Sequence, residues 1–156
     1  MMMDDVKILL TTENSTIPKR VTSGSAGYDI FSNVDTTIAH NTIACVTTGI
    51  QLAIPEGYYG QLISKSGMAK EGLTVVGGVI DSDYRGEIKV LLENQSGILY
   101  EFPKGCPIAQ IIFLRCEEAE FSVMSPEQWG LLRVNESATN QRKDSGFGDM
   151  DKATYV

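Results

Sequence analysis

Residues 77–94 read GGVIDSDYRGEIKVLLEN, and this stretch joins two kinds of local signal. Its first ten residues are rich in glycine and aspartate, which are common in tight turns. Its last eight residues, 87–94, largely alternate apolar with polar side chains, which is typical of a strand with one buried face. A strand that directly follows such a turn favours a β-rich fold.

Short apolar runs separated by turn residues continue over most of the chain. Ten such runs predict strands, at residues 6–10, 28–32, 36–39, 43–48, 50–54, 58–64, 73–76, 87–94, 97–102 and 108–114. Their spacing predicts an all-β sandwich or barrel. Only residues 125–132, SPEQWGLL, predict a helix, which Ser125 caps and Pro126 begins.

The composition is that of one ordinary domain of 156 residues, with 42% hydrophobic and 21% charged residues, which excludes wholesale disorder. The net charge is −7, from 13 basic and 20 acidic residues. Such a surface repels nucleic acid and anionic lipid, so we expect neither partner. No apolar run approaches the roughly 20 residues that span a bilayer, so no membrane association is expected.

Cysteine and histidine usage narrows the chemistry. Cys45, Cys106 and Cys116 are odd in number and not closely spaced, so we expect reduced thiols in an intracellular protein. The first twelve residues carry acids where a secretory signal needs positive charge. The single histidine, His40, lies in a polar turn, which disfavours a histidine-rich metal site or a serine–histidine triad.

The last 22 residues differ from the rest, since they are polar and almost without apolar periodicity. We therefore expect a β domain over residues 1–134 and a flexible arm over residues 135–156. The arm contains Gly146-Phe147-Gly148, preceded by Arg142 and Lys143. This island is either a hinged contact residue or one stray aromatic in a disordered tail.

Residues 64–69, Ser-Lys-Ser-Gly-Met-Ala, have the composition of a phosphate-binding loop. A cation, a hydroxyl group and flexible backbone N–H groups together bind phosphate oxygens. The glycine framework of a P-loop is missing, so Walker-type binding is not supported. The alternative is a polar junction between a strand and a loop.

Residues 77–86 place Asp81 and Asp83 on either side of one serine, beside Tyr84 and Arg85. A carboxylate in this setting is a candidate general base or metal ligand. The alternative is a tight hairpin turn, because glycine and aspartate are the usual residues of such turns.

These segments, taken in order, resemble the five motifs of the deoxyuridine triphosphatase (dUTPase) family. The matching stretches are Ala26–Asp29, Lys65–Ala69, Gly78–Gly86, Gly105–Ile112, and Arg142 with Gly146–Gly148. The third stretch matches without a gap. The resemblance extends from about residue 6 to residue 150.

The chain departs from the family pattern at several positions. Lys65 stands where the family usually has arginine, and Cys106 and Pro107 replace an acid and an arginine in the fourth motif. Asp149 and Asp151 lie where the family continues Ser-Thr-Gly after the phenylalanine. The effect of these changes on activity is left open by the sequence.

The resemblance implies a distorted antiparallel β-barrel of jelly-roll type, assembled as a homotrimer with shared active sites. The flexible arm would cross to another subunit and close over the substrate. The strand-rich pattern of the sequence agrees with this fold independently.

The implied reaction is hydrolysis of dUTP to dUMP and pyrophosphate with Mg²⁺, which keeps uracil out of DNA and supplies dUMP for thymidylate synthesis. By motif position, Asp81 would deprotonate the attacking water. Lys65 and Arg142 would offset the triphosphate charge, while Ser66 and the Gly67 N–H would bond its oxygens.

The remaining roles follow from the same resemblance. Asp29 would hold the water shell of magnesium without touching the metal, and Gln110 would anchor water or phosphate. Tyr84 would pack on the deoxyribose and exclude a 2′-hydroxyl, while Phe147, with Gly148 beside it, would stack on the uracil. Main-chain groups that read the uracil edge would come from Gly78, Val79 and Ile80.

Two rival functions remain. The dCTP deaminases share the fold, but they need a glutamate base, and the run from Ile80 to Tyr84 favours the phosphohydrolase. A dUTPase fold with weakened or no activity, acting as a nucleotide-binding or regulatory protein, is the second rival, and the departures from the motifs motivate it.

Overall fold

A computed structural model describes residue 3 and residues 5–135 of the chain, without the side chains of residues 133–135. The ten strands are β1 (Lys7–Leu10), β2 (Tyr28–Phe31), β3 (Thr36–Ile38), β4 (Thr42–Ala53), β5 (Tyr58–Ile63), β6 (Leu73–Val75), β7 (Val79–Ile80), β8 (Glu87–Asn94), β9 (Tyr100–Phe102) and β10 (Pro107–Arg115). The two helices are α1 (Ser66–Lys70) and α2 (Pro126–Asn135). The prediction of an all-β protein is confirmed.

The strands form two antiparallel sheets of four, ordered β1-β4-β8-β6 and β2-β10-β5-β7. A separate two-stranded ribbon pairs β3 with β9. Within the part of the chain that the structure describes, these sheets do not close into one barrel. The predicted barrel is therefore observed as an open arrangement of two sheets and a ribbon.

The core explains the alternation that the sequence shows in β8. Ile88, Val90 and Leu92 are at most 1% exposed, while Lys89 and Leu91 between them face outward. Their buried face is completed by apolar residues from both sheets, among them Ile30, Val46, Ile50, Leu52, Leu62, Ile108 and Ile111. This core lies within the compact unit formed by residues 1–118.

The two strands predicted at residues 43–48 and 50–54 are one strand, β4, with an irregularity at Gly49. The pairing of β4 with β8 shifts register between Thr47 and Gln51, and Gly49 has a φ of +68° there. The Glu87 carboxylate accepts the Gly49 N–H at 2.8 Å. Glycine punctuation in the sequence thus marks a bulge inside a strand and not the end of one.

Residues 81–86 do not form the tight hairpin that was the alternative reading of this segment. Strand β7, before them, pairs with β5, and strand β8, after them, pairs with β4. The turn therefore carries the chain from one sheet to the other. Strands β6 and β7 also lie in different sheets, because β6 pairs with β8 and β7 pairs with β5.

Helix α2 belongs to a second unit, residues 119–156, which the structure describes as far as residue 135. Its N-terminus is a capping box, in which the Ser125 N–H donates to Gln128 Oε1 at 2.8 Å and the Gln128 N–H to Ser125 Oγ at 3.2 Å. Pro126 begins the helix as predicted. Over the described residues, no helix is long and apolar enough to cross a membrane.

Candidate active site

A cavity of about 320 Å³ is lined by residues from three of the motif-like stretches, namely Ala26–Asp29, Lys65–Ala69 and Gly105–Ile112. Strand β10 brings these stretches together, because it lies between β2 and β5. Gln110 on β10 is the direct partner of Asp29 on one side and of Ile63 on the other. The chain leaves β5 at Ile63 and reaches Lys65 two residues later, so three distant segments meet at one point. We call this cavity the phosphate pocket, after the phosphate binding that the sequence predicts for residues 64–69. Its lining is Val21, Ser25, Gly27, Asp29, Lys65, Ser66, Gly67, Met68 and Gln110.

Lys65 and Asp29 form an ion pair in this pocket, with Nζ 2.5 Å from Oδ1. The two side chains are only 25% and 15% exposed. Partial burial strengthens the attraction relative to a surface pair, because less water screens the charges. Lys65 and Asp29 therefore balance each other's charge within the pocket.

Gln110 is held in one orientation by both of its neighbours. Its Nε2 donates to the Ser64 carbonyl at 3.1 Å. Its Oε1 approaches Gly27 so closely that a Cβ at position 27 would collide with it, and would lie 3.0 Å from Cβ and Cδ of Gln110. Gly27 is thus required by close packing, and the Gln110 side chain is fixed beside the phosphate pocket.

Cys106 lies close enough to Lys65 for the lysine charge to affect the pKa of its thiol. Burial raises the pKa of the Cys106 thiol above its usual value, and the positive charge of Lys65 opposes that rise in part. Within residues 5–135 the three cysteines, Cys45, Cys106 and Cys116, are all free thiols. The expectation that they are unpaired is confirmed.

Asp81 lies at a second cavity of about 640 Å³. Its lining is Ile54, Glu56, Gly57, Tyr58, Tyr59, Asp81, Ser82, Asp83, Arg85, Cys116 and Glu118. The two cavities share no lining residue. Within one chain, then, the predicted base and the predicted phosphate ligands line different cavities.

The turn that carries Asp81 is braced by its own backbone. The Asp81 carbonyl accepts the Tyr84 N–H at 3.2 Å. Arg85 Nη1 donates to the carbonyls of Ser82 and Tyr84, at 2.6 and 3.1 Å. Asp83 lies in the same turn, so the fold alone does not separate the two carboxylates.

Gly78, at the start of the segment 78–86, is hydrogen-bonded to strand β5. Its carbonyl accepts the Leu62 N–H at 2.7 Å, and its φ is +105°. A Cβ at position 78 would lie 2.5 Å from the Leu62 carbonyl oxygen, so only glycine fits. Val79, next in the chain, is 61% exposed. The predicted uracil-reading segment is therefore anchored at Gly78 and open at Val79.

Sequence reasoning missed the loop that walls the phosphate pocket. Arg20 donates from Nε to the Ser25 carbonyl at 2.7 Å and also bonds the Ser23 carbonyl. Its guanidinium lies 5.8 Å from the centre of the Tyr28 ring. The sequence signal for this loop was the pair Thr22 and Ser25, three residues apart, whose hydroxyl groups interact and close a local turn.

The described residues offer few donor groups for a metal ion. Over the described residues, no cluster of three or more histidine, cysteine, aspartate or glutamate side chains is placed to hold an ion. Asp29 offers one carboxylate, and one of its oxygens contacts Lys65. This donor set fits an ion held mainly by ligand oxygens and water, as magnesium usually is with phosphates.

Arg142, Phe147 and Gly148, which the sequence predicts as site residues, lie outside the described residues.

The described residues define an all-β protein of two sheets with two polar cavities. One cavity holds a cation, a hydroxyl group and a fixed amide, and a turn with two carboxylates lines the other. The sequence profile of the dUTPase family matches residues 13–149. The chain belongs to the dUTPase family.

Named relatives agree with this assignment. The deoxyuridine 5′-triphosphate nucleotidohydrolase of Paramecium bursaria Chlorella virus 1 is 37% identical over 147 residues, covering 94% of this chain and 97% of that protein. The enzyme of the same name from Mus musculus is 38% identical over 148 residues, covering 94% and 85%.

Solved structures show the same fold. A mutant dUTPase of Staphylococcus bacteriophage 80alpha, solved with dUpNHpp, superposes with a TM-score of 0.79 at 23% identity, covering 93% of this chain and 97% of that one. A mutant dUTPase from phage phi11 of S. aureus, described with a structural Mg(II) ion, gives 0.72 at 25% identity, covering 78% and 97%.

Proposed function

We propose that this chain hydrolyses dUTP to dUMP and pyrophosphate. The observation that carries the proposal is the convergence of Asp29, Lys65, Ser66 and Gln110 on one pocket through the pairing of β10 with β2 and β5. Three segments far apart in sequence contribute polar groups of the type that binds a polyphosphate. The named relatives act on the same substrate by name.

Within the pocket, the Lys65 ammonium group leaves the Asp29 carboxylate and binds phosphate oxygens of the substrate. Ser66 Oγ and the Gly67 N–H donate to the same oxygens, and the fixed Gln110 amide orients a phosphate oxygen or the water beside it. Arg142 of the arm adds the second positive charge. Together these groups offset the charge that accumulates on the leaving pyrophosphate.

Asp81 takes the proton from the attacking water, and the carboxylate must then lie within hydrogen-bond reach of that water. The separation of Asp81 from the phosphate pocket supports a site completed between chains. We therefore propose a homotrimer in which Asp81 of one chain faces the phosphate pocket of another. A closed ring of identical chains satisfies this head-to-tail contact.

Magnesium fits as a partner of the substrate. Bound, it would neutralise phosphate charge and hold the triphosphate in one geometry. Asp29 would orient its water shell, an indirect role that a single carboxylate can fill. The same carboxylate holds Lys65 when no nucleotide is bound, so its two roles alternate.

The base and sugar are selected by a different set of groups. Tyr84 packs on the deoxyribose. The arm, residues 135–156, complements the domain of residues 1–134, and its Phe147 and Gly148 close on the uracil. The main chain of Gly78, Val79 and Ile80 pairs with the uracil edge, and cytosine leaves these groups unpaired. Because the substrate is a DNA precursor and the thiols are free, we place the enzyme inside the cell.

One assay tests the function. Pyrophosphate release is measured from dUTP, dCTP, dTTP and UTP, each with and without magnesium. We expect turnover of dUTP alone, and faster with magnesium. Binding of dUTP without turnover would instead favour a regulatory protein, a reading that rests on the acids Asp149 and Asp151 of the arm.

A further inference from the structure

Gly86 has no conformational reason to be glycine. Among the glycines that the structure describes, seven others adopt the left-handed backbone region, including Gly78 at a φ of +105°, but Gly86 does not. Its backbone conformation does not require glycine. The reason for glycine at this position must therefore be the space that a side chain would fill.

That space is occupied by the ring of Tyr84. A Cβ at position 86 would lie 2.6 Å from Cζ and 3.0 Å from Cε2 of Tyr84, and would collide with its hydroxyl oxygen. An aromatic ring is rigid and cannot bend away, so it would have to rotate out of its place. Gly86 is thus the surface on which the end of the Tyr84 ring rests.

The hydroxyl end of the same ring is tethered. Tyr84 Oη donates to the Glu87 carbonyl at 3.0 Å. The Glu87 carboxylate accepts the Gly49 N–H at 2.8 Å, which ties this residue to the bulge of β4. The Tyr84 N–H meanwhile bonds the Asp81 carbonyl at 3.2 Å. The Tyr84 backbone is therefore held by the turn that contains Asp81, and its hydroxyl group is held by Glu87 at the start of β8.

We propose that Gly86, together with the Glu87 carbonyl, is a positioning element for sugar selection. This inference rests on the proposed function, in which the Tyr84 ring leaves no room for a 2′-hydroxyl. The ring is 43% exposed, so packing alone holds it loosely. Gly86 and Glu87 keep it at a fixed distance from Asp81, and discrimination between deoxyribose and ribose depends on that distance.

The test compares dUTP with UTP in matched variants. Gly86→Ala displaces the ring, and Tyr84→Phe keeps the ring but removes its tether. Gly130→Ala is the control, because Gly130 lies in α2 and lines neither cavity, a Cβ at position 130 meets nothing within 4 Å, and its φ is also outside the left-handed region. The ratio of kcat/KM for dUTP to that for UTP is the readout, since a merely structural defect lowers both values together.

We expect Gly86→Ala to lower the ratio by about tenfold or more, as misplacement of a contact group commonly does. Tyr84→Phe should lower it by about three- to tenfold, the usual worth of one hydrogen bond. Gly130→Ala should leave it unchanged. In a Tyr84→Ala background, Gly86→Ala should have no further effect on the ratio, because no ring remains to be displaced.

An unchanged ratio in both Gly86→Ala and Tyr84→Phe overturns the inference, even if overall activity falls. Calorimetric binding of dUpNHpp and UpNHpp to the same variants separates this result from failure of the proposed function. If the wild-type chain binds but turns over no dUTP, the hydrolase proposal fails. The binding selectivity of the variants then still decides the role of Gly86.

Discussion

The ammonium group of Lys65 lies 2.5 Å from a carboxylate oxygen of Asp29, at a point where both side chains are largely buried. The pair joins the start of β2 to the loop after β5. Among the described residues that line the phosphate pocket, Lys65 is the one cation, and it contacts a carboxylate. In the proposed function, a phosphate of the nucleotide competes with that carboxylate for Lys65. Lysine can make the exchange by rotating a flexible stem, although it lacks the two-pronged contact of arginine.

Lys65→Met tests this exchange. Loss of the cation should weaken binding of dUpNHpp by about 10- to 100-fold, because hydrogen bonds to charged groups contribute about 1.5–3 kcal/mol. The free energy of unfolding should also fall by about 1–3 kcal/mol, since Asp29 loses its partner. Calorimetric titration and urea unfolding measure the two effects.

The double variant Asp29→Asn with Lys65→Met is the matched control. It removes both charges, so most of the stability should return while nucleotide binding stays weak. Unchanged affinity in the single variant would show that Lys65 does not contact the triphosphate.

Asp81→Asn should abolish hydrolysis while binding of dUpNHpp survives, because the amide cannot accept the proton of the attacking water. Asp83→Asn is the control, since Asp83 lies in the same turn and lines the same cavity. Single-turnover measurements should show at least about a thousandfold loss for Asp81→Asn, within the range of a lost general base. The reverse order of effects would assign the base to Asp83.

Deletion of residues 135–156 should leave a folded protein with little activity. The buried core lies in residues 1–118, so the thermal midpoint should change little. Arg142 and Phe147 would be lost, and with them a phosphate contact and the stacking group. Circular dichroism and pyrophosphate release test the two halves of this prediction. Full turnover would show that the arm is idle, and an unfolded product would show that it is structural.

The thiols should differ in reactivity. Burial raises the pKa of Cys106, so its thiolate forms only at higher pH than that of an ordinary thiol, and alkylation near pH 8 should be slow. Cys45 and Cys116 are exposed and should react first. Mass spectrometry after timed iodoacetamide treatment gives the order. Fast labelling of Cys106 would indicate that Lys65 outweighs burial.

Bound nucleotide should slow Cys106 further by covering the pocket beside Lys65. Protection by dUpNHpp, with dCTP as the control, would connect this thiol to the phosphate pocket. Equal rates with both nucleotides would place Cys106 outside it.

Local pattern was enough to predict the strands that alternate cleanly. Strand β8 spans residues 87–94 as predicted because Ile88, Val90 and Leu92 all face the core. A helix was predicted at residues 125–132 from Ser125 and Pro126, whose effects act within one turn, and α2 is observed at Pro126–Asn135. Such signals need no knowledge of the rest of the chain.

Long-range pairing was beyond the sequence. Nothing local to Gln110 shows that its strand lies between β2 and β5, yet that placement builds the phosphate pocket. Helix α1 was missed because its five residues, Ser66–Lys70, include none that is buried to create a periodic pattern. The turn at residues 81–86 has the composition of a hairpin, and only the pairing of the flanking strands shows that it crosses between sheets.

In the proposed trimer, Asp81 of one chain acts on a triphosphate held by Lys65 of another. The direct measurement is pyrophosphate release after Asp81→Asn and Lys65→Met chains are unfolded together and refolded as a mixture. The dUTP concentration is kept far below the KM of the Lys65→Met chain, so that each variant alone releases little pyrophosphate. If the site is shared, about a quarter of the sites in random trimers regain both residues, so activity should return to a comparable fraction of wild type. Mixed trimers that form but stay inactive would contradict the account, because both residues would then have to come from the same chain.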